Sequence, residues 1–491
     1  MIDLSTHIFT PQQMTAVDAA SAASGIQSFD LMERAGQAVA ATALRHYPQA
    51  RRFVVLCGPG NNGGDGYVAA RALCDSGAAV DVFQMAEPTT LKGDARRAAL
   101  TSPIEARPLN EYGPDVGDVI IDALFGAGLS RDLSDDVQQL VARINDAGLP
   151  VIAVDLPSGI CGLRGKVLGN ALQAARTITF MAMKPGHLLM PGRTFCGDVE
   201  VFDIGIPHRI LSAHAGDIQK NAPSLWASRL PLLAGETHKY KRGHLVVFSG
   251  GASHTGAARL AATAGLKCGA GLVTVAVPQE AIAVTAGALT AVMVRQVETR
   301  AELTNWLDTA KISACVLGPG FGVGERAMDF VSALTEKPLV LDADGITSFR
   351  DDPSLLFDAF TVGETRLVLT PHEGEFARLF PDIAADETLG KADKARVAAK
   401  RSHAVIVYKG ADSVIASPDG RAYINANAPP WLATAGSGDV LAGMIGAFLA
   451  QGVPAFEAAA AGVYLHGEAA LKAGPGMTAE DLAEHAHTGL T

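Results

Sequence analysis

The sequence predicts an α/β protein of two domains, each a three-layer αβα sandwich with helices covering both faces of a mostly parallel sheet. Three observations carry this expectation. Near-continuous apolar runs of strand length, such as RRFVVL and PVIAVD, alternate with segments of helical spacing. Strands buried on both faces read this way, whereas half-exposed strands alternate apolar and polar residues. The 491 residues include 52 glycines and only 6% aromatics, so helices must approach their sheets through small side chains. Finally, the strand–helix rhythm stops between His208 and about Arg242 and then restarts. A chain of this length holds about two to four domains. The boundary falls near residue 222, giving domains 1–222 and 223–491.

The first helix starts at Thr10-Pro11-Gln12-Gln13, with an N-cap hydroxyl, proline at the first helical position and Gln13 closing a capping box. A second helix carries SFDLMERAGQAVAATALRHY. The strands of this half are RRFVVLCG, AAVDVFQM, DVIIDALFG, PVIAVDLPSG and ARTITFMA, and VFDIGIP closes it. Ligands of such sheets bind beyond the carboxyl ends of the strands, where NNGGDG, LFGAG, DLPSG and MKPG all fall. The second half runs through GHLVVFSGG, GLVTVAVP, SACVLGPGFG, KPLVLDADG, RLVLTPHEGE and HAVIVYKGAD. It ends in ATAGSGDVLAGMIGAFLAQG and alanine-rich helices. The basic run His238 to Arg242 reads as a solvated charge run. No residue-level repeat links the halves.

A formal net charge of −11 argues against nucleic acid or an anionic membrane as the main partner. No apolar run reaches the roughly 18 residues of a membrane helix, and no secretory signal is visible. A soluble, cytoplasmic protein is expected. The six cysteines are scattered without C-x-x-C spacing, which fits buried reduced thiols.

CGPGNNGGDG contains G-x-G-x-x-G at Gly58, Gly60 and Gly63, directly after a strand and before a helix, the setting of a Rossmann-like dinucleotide cradle. Asn61, Asn62 and Asp65 are odd company for a pyrophosphate, because a carboxylate repels it unless a cation or sugar hydroxyl intervenes. A dehydrogenase also needs an acid at the end of its second strand, and Asp81 lies mid-strand instead. Asn62, Asp122 and Ser158 are hard oxygen donors at adjacent strand ends, suited to an alkali or alkaline-earth cation. Asp155 ends PVIAVD as a proton acceptor or ribose ligand, and Lys184 follows the last main strand as an acid or electrophile. Simple capping by Asp122 and Asp155, and a surface position for Lys184, are the plain alternatives.

LMERAG, GPGNNGGDG, DALFGAG, VDLPSG and MKPGH occur in the order that resembles the NAD(P)H-hydrate epimerase domain, over most of residues 10 to 210. The resemblance implies that Asn61, Asn62, Gly63, Gly64 and Asp65 hold the hydrated dinucleotide. Gly126, Ala127, Gly128, Leu129, Ser130, Arg131, Asp132 and Asp155 would share that task. It further implies potassium at Asn62, Asp122 and Ser158. Interconverting the R and S hydrates needs an acid/base pair, for which Asp155 and Lys184 are the candidates.

In the second half, Gly436-Ser437-Gly438-Asp439 opens a helix. Glycines there present N–H groups and the positive dipole end to a phosphate, and Asp439 can take a proton from an attacking hydroxyl. No Walker motif is present. Lys409-Gly410-Ala411-Asp412-Ser413 follows a strand and offers a cation and turn donors. His372 fits substrate contact or a local structural role equally. GSGD and KGADS resemble the ribokinase-like superfamily. With GASHTGAARLAA, GPGFG and TPHEGE they look like the ADP-dependent NAD(P)H-hydrate dehydratase, over about 235 to 475. The resemblance implies adenine nucleotide at Lys409 to Ser413 and Gly438, and hydrate at Ala257, Gly320, His372 and Asp439, with Asp439 as base. ADP is the implied co-substrate, with magnesium, and a homo-oligomer the implied assembly. Ala435 and NAPPW depart from the family's glycines, which bears on nucleotide affinity before activity. A hydroxyl kinase with a regulatory dinucleotide domain and a nucleotide-sensing binding protein are the alternative functions.

Overall fold

The computed structural model describes residues 6–231 and 239–487. His238 of the basic run lies outside them. The chain divides into two compact units, 1–216 and 217–491.

In the first unit, the Thr10 capping box forms as expected: Thr10 Oγ1 accepts from Gln13 N–H, and Gln13 Oε1 accepts from Thr10 N–H. The helix Pro11–Ala23 is followed by a second, Ser28–His46. Seven strands follow: β1 (Arg52–Cys57), β2 (Val80–Gln84), β3 (Ala106–Pro108), β4 (Asp118–Ala123), β5 (Val151–Val154), β6 (Arg176–Phe180) and β7 (Asp198–Phe202). All pair in parallel in the order β3-β2-β1-β4-β5-β6-β7. Residues of β1 divide between the two faces by their period of two. Phe53, Val55 and Cys57 join the core under the helices that begin at Pro11, Ser28 and Asn61. Val54 and Leu56 face the core under the helix Asp135–Asp146. Short β3 lacks a long apolar run, so the sequence pattern did not mark it as a strand.

In the second unit the strands are β8 (Ile218–Lys220), β9 (His244–Phe248), β10 (Leu272–Val277), β11 (Met293–Gln296), β12 (Ala314–Leu317), β13 (Leu339–Leu341), β14 (Leu367–Leu369), β15 (Val405–Tyr408), β16 (Val414–Ala416) and β17 (Ala422–Ile424). Their order is β11-β10-β9-β12-β13-β14-β15-β16-β17-β8, parallel except where β16 meets its two neighbours. Because β8 pairs with β17, residues 217–222 belong with the second unit rather than the first. Leu245 and Val247 face the core made by the helices Thr255–Lys267, Ser437–Ala450 and Ala455–Ala473. On the other face Phe248 meets Phe330 of the helix Glu325–Ala333 edge-on. Helices therefore cover both faces of this sheet too.

Five cysteines are buried and free, and Cys74, in the last turn of the helix Asn61–Asp75, is exposed, contrary to the expectation that all are buried. Among the described residues no helix is long and apolar enough to cross a membrane.

Candidate active sites

In both sheets the strand order reverses at one point, between β1 and β4 and between β9 and β12. The loops leaving neighbouring strands there diverge to opposite faces, and the gap beyond their carboxyl ends receives the ligand.

In the first unit this gap is a cavity of about 710 Å³. Its wall includes Asn61, Asn62, Asp65, Gly126, Ala127, Gly128, Leu129, Ser130, Arg131, Asp155 and Lys184. Gly63, Gly64 and Asp132 are not on that wall. Gly63 is needed for packing: a Cβ there would lie 2.0 Å from the Gly58 carbonyl oxygen, and one on Gly58 would lie 1.8 Å from that of Leu124. Gly60, by contrast, faces open space, where a phosphate can approach the backbone. Asp81 ties Arg52 and Arg107 near the start of β2, away from the cavity, so it serves no ribose.

Asp155 follows β5 with φ of +65°, a left-handed conformation that costs a non-glycine residue about 1–3 kcal/mol. The surroundings hold it there. Its N–H bonds Ile178 O at 2.7 Å, and its own carbonyl accepts from His187 Nε2 at 2.7 Å. The Lys184 N–H donates to His187 Nδ1 at 2.8 Å, so the ring keeps its proton on Nε2. Burial pushes His187 down to about 4, helped by Lys184, and the ring is neutral. The Asp155 carboxylate accepts from Ala127 N–H (2.8 Å), Thr179 Oγ1 (2.9 Å) and Lys184 Nζ (2.7 Å). Burial works to raise it, but the Lys184 ammonium and the Ala127 N–H bring it down to about 2. Lys184 is buried, which removes the surface alternative.

Three further carboxyl groups, Asp18, Asp65 and Asp94, share the cavity. Asp65 is pushed well above the carboxylate range by burial, reinforced by Asp155 and Asp18 and opposed by Lys184. Asp18, an exposed residue on the wall from the helix Pro11–Ala23, is raised by partial loss of solvent and by Asp155, with Lys184 opposing. Sequence reasoning missed Asp18, Thr179 and His187. His187 stood inside the MKPGH motif, whereas no local pattern marks Asp18.

Asp122 is fully buried at the end of β4 without a cationic partner among the described residues. Its carboxylate accepts from Ser158 Oγ (2.6 Å), Ser158 N–H (2.7 Å) and Leu124 N–H (3.3 Å), and burial still pushes it up to about 6. These bonds also supply the turn-capping role foreseen as an alternative. The Asn62 amide nitrogen is buried without a partner among the described residues. Turning the amide over places an oxygen in that position. A buried carboxylate, a hydroxyl and an amide oxygen from loops after three adjacent strands form a donor set that fits an alkali cation.

In the second unit, Gly436 (φ +88°) caps the helix Ser437–Ala450. Lys409 Nζ bonds Asp342 Oδ1 at 2.7 Å, and a Cβ on Gly438 would lie 3.5 Å from that ammonium and 3.9 Å from Asp342 Oδ2. Burial lowers Lys409, but Asp342, Glu375 and Asp439 together hold it above its ordinary value, so it stays charged. Asp439 is pushed up to about 6 by burial and by Asp342, with Lys409 opposing and Asp344 reinforcing. Asp412 pairs with Lys391 at 2.5 Å, and Ser413 Oγ donates to Gly410 O at 2.8 Å, closing the KGADS turn around Ala411. Ala257 and Gly320 adjoin: a Cβ on Gly320 would lie 3.5 Å from that of Ala257. His372 caps the helix Glu373–Leu379, its Nδ1 accepting from Gly374 and Glu375 N–H, while its ring remains largely exposed. Asp342, Asp344 and Lys391 went unnoticed in the sequence, and Glu375 stood in TPHEGE without a role, because only folding brings β13 and the helix after β14 beside Lys409.

Two family models match the chain. One, described as NAD(P)H-hydrate dehydratase, covers residues 245–488, and one, described as the N-terminus of YjeF-related proteins, covers 28–186. Relatives match across both units. The bifunctional NAD(P)H-hydrate repair enzyme of Moorella thermoacetica is 36% identical over 489 residues, 94% of this chain and 92% of the relative. Those of Coxiella burnetii and Escherichia coli K12 are 34% and 35% identical, covering 98% and 91% of this chain and 98% and 85% of the relatives. Among solved structures, an ADP/ATP-dependent NAD(P)H-hydrate dehydratase from Bacillus subtilis, co-crystallised with ATP and Mg2+, is 25% identical. It covers 54% of this chain and 95% of its own, with a TM-score of 0.47. Two α/β units, one with a polar cavity at a reversal of strand order and one with charged side chains gathered around a glycine-led helix start, define a two-site enzyme. The chain belongs to the family of bifunctional NAD(P)H-hydrate repair enzymes, with an epimerase domain followed by a dehydratase domain.

Proposed function

We propose that residues 1–216 interconvert the R and S hydrates of NADH and NADPH, and that residues 217–491 return the S hydrate to NAD(P)H with ADP as phosphoryl donor. The observation that carries the second half is Asp439. This carboxyl group accepts no hydrogen bond from a described residue, opens a glycine-led helix and neighbours the charged Lys409. Asp439 takes the proton of the hydrate hydroxyl, whose oxygen attacks the terminal phosphorus of ADP, and the bond to AMP breaks. The new phosphate ester then leaves as phosphate with the electrons of its C–O bond, and loss of a ring proton restores the dihydropyridine. Lys409 and the N–H groups of the Gly438 turn stabilise the transferring charge. Lys409, Gly410, Ala411, Asp412, Ser413 and Gly438 hold the nucleotide, and Ala257, Gly320, His372 and Asp439 the hydrate. Magnesium would accompany the nucleotide as its counter-ion.

In the first unit, Asn61, Asn62, Asp65, Gly126 to Arg131 and Asp155 hold the hydrated dinucleotide, with Gly63, Gly64 and Asp132 off the cavity wall. Asn62, Asp122 and Ser158 would hold potassium, which supplies a fixed positive charge beside the dinucleotide's anionic groups. We assign the protein to the cytoplasm, where reduced nicotinamide nucleotides are consumed, and expect a homo-oligomer.

The test follows the reduced-nicotinamide absorbance of a mixed R/S hydrate after adding ADP. Full recovery is expected in potassium chloride, with the R fraction lagging in choline chloride. Recovery that stops at the S fraction removes the epimerase function. A stable phosphorylated product in place of NAD(P)H makes the chain a hydroxyl kinase instead.

A further inference from the structure

In the Asp155–Lys184 pair, the acid/base candidate from the sequence, the ammonium has no free N–H and the carboxylate is a weak base, down at about 2. An ammonium has three N–H groups. Those of Lys184 are taken by Asp155 Oδ1 at 2.7 Å, Thr179 Oγ1 at 2.7 Å and Phe180 O at 3.4 Å, and the side chain is buried. Asp155 accepts from Lys184 and Thr179 on one oxygen and from Ala127 N–H on the other, bonds that favour its ionised form. Lys184 is a positioning residue that keeps Asp155 ionised.

The proposed epimerisation, on which this inference rests, needs more than a fixed anion. The two hydrates carry their hydroxyls on opposite faces of the ring. One group must protonate the departing hydroxyl, and another must take a proton from water arriving on the other face. Asp18 and Asp65 reach the same cavity from two different helices, Pro11–Ala23 and Asn61–Asp75, and neither carboxyl accepts a hydrogen bond from a described residue. We infer that Asp18 and Asp65 are the two proton carriers of the epimerase, one serving each face of the ring and sharing a single proton.

The charges around them suit this role. Asp155 is ionised and Lys184 is the one ammonium felt at both groups, so a second and third carboxylate would add uncompensated negative charge. Asp94 and Arg131 are the other charged groups on the wall. In one direction Asp65 gives its proton to the hydroxyl. The C–O bond breaks with its electron pair on oxygen, water departs, and the ring-nitrogen lone pair forms the iminium. Water adds from the other face, the iminium pair returns to nitrogen, and the surplus proton goes to Asp18. The reverse direction starts from the state this leaves, and no oxidant or reductant is needed.

Each purified epimer of NADPH hydrate, incubated with the full chain in ¹⁸O-water without ADP, reads inversion and label uptake separately by mass spectrometry. Wild type should invert with label. Asp18→Asn and Asp65→Asn should each lose inversion by about 10²-fold or more. Each should still exchange label into one epimer with retention, and the epimer should differ between the two. A variant damaged only in folding loses exchange and inversion together, and thermal melting reports that damage. Inversion at the wild-type rate in either variant overturns the assignment, as does label entering the same epimer in both, or neither. Absence of inversion in wild type overturns the epimerase function itself.

Discussion

Asp439→Asn should stabilise the second unit while removing its chemistry. Holding Asp439 ionised in the folded state is unfavourable, because burial and the neighbouring Asp342 push it from 3.8 up to about 6. That difference corresponds to ~3 kcal/mol against folding once the group is ionised. A carboxylate in the first turn of the helix Ser437–Ala450 recovers about 0.3–1 kcal/mol from the helix dipole. Asparagine therefore gains ~2 kcal/mol net, about 4–8 °C in melting temperature for a unit of this size. The sign follows from proton counting. Below about pH 4 folded and unfolded chains both hold the proton, and the substitution changes little. As pH rises through about 6, wild type loses this contribution and the gap opens, reaching its full value above about pH 7. Thermal melting of both proteins at about pH 4.5 and pH 8 measures it. The same substitution should lower dehydration by about 10²–10⁴-fold, and the wild-type rate should fall as pH drops below about 6. Equal melting gaps at the two pH values, or no gain at pH 8, would refute the burial and charge argument.

Two other substitutions probe how the sites are held. Lys184→Met strands Asp155 beside the cavity, and breaking a buried pair costs about 3–5 kcal/mol. The loss in melting temperature should shrink on acidification, as protonation of Asp155 removes the stranded charge, and adding Asp155→Asn should recover part of it. Gly443→Ala places a Cβ 2.0 Å from the Ala261 carbonyl oxygen. The helix-propensity gain of about 1 kcal/mol is outweighed by overpacking of about 1–3 kcal/mol or more, because the obstacle is backbone. Denaturant unfolding should show a net loss, and a stabilised variant would mean that the two helices separate easily.

Much of this protein is determined by its sequence alone. Apolar runs such as FVVL and VIAV can satisfy burial on both faces only inside a covered parallel sheet, so the layers follow from periodicity. Thr10 and Gln13 determine a helix start by local hydrogen bonds. NNGGDG, DALFGAG, DLPSG and GSGD mark the carboxyl edge, because turns there need glycine and small polar residues. Tertiary structure alone decided the rest. That β8 closes the second sheet depends on pairing with β17, some 200 positions away, which no local pattern encodes. Gly58 and Gly63 fit a dinucleotide fingerprint in the sequence, and only the fold shows that each also lies closer to backbone than a Cβ permits. The sequence shows Lys184 as a cation after the last main strand, and only the fold supplies its three N–H partners. Asp18 and Asp342 carry no motif at all: electrostatic energy depends on distance through the fold, and only folding brings each of them beside its lysine.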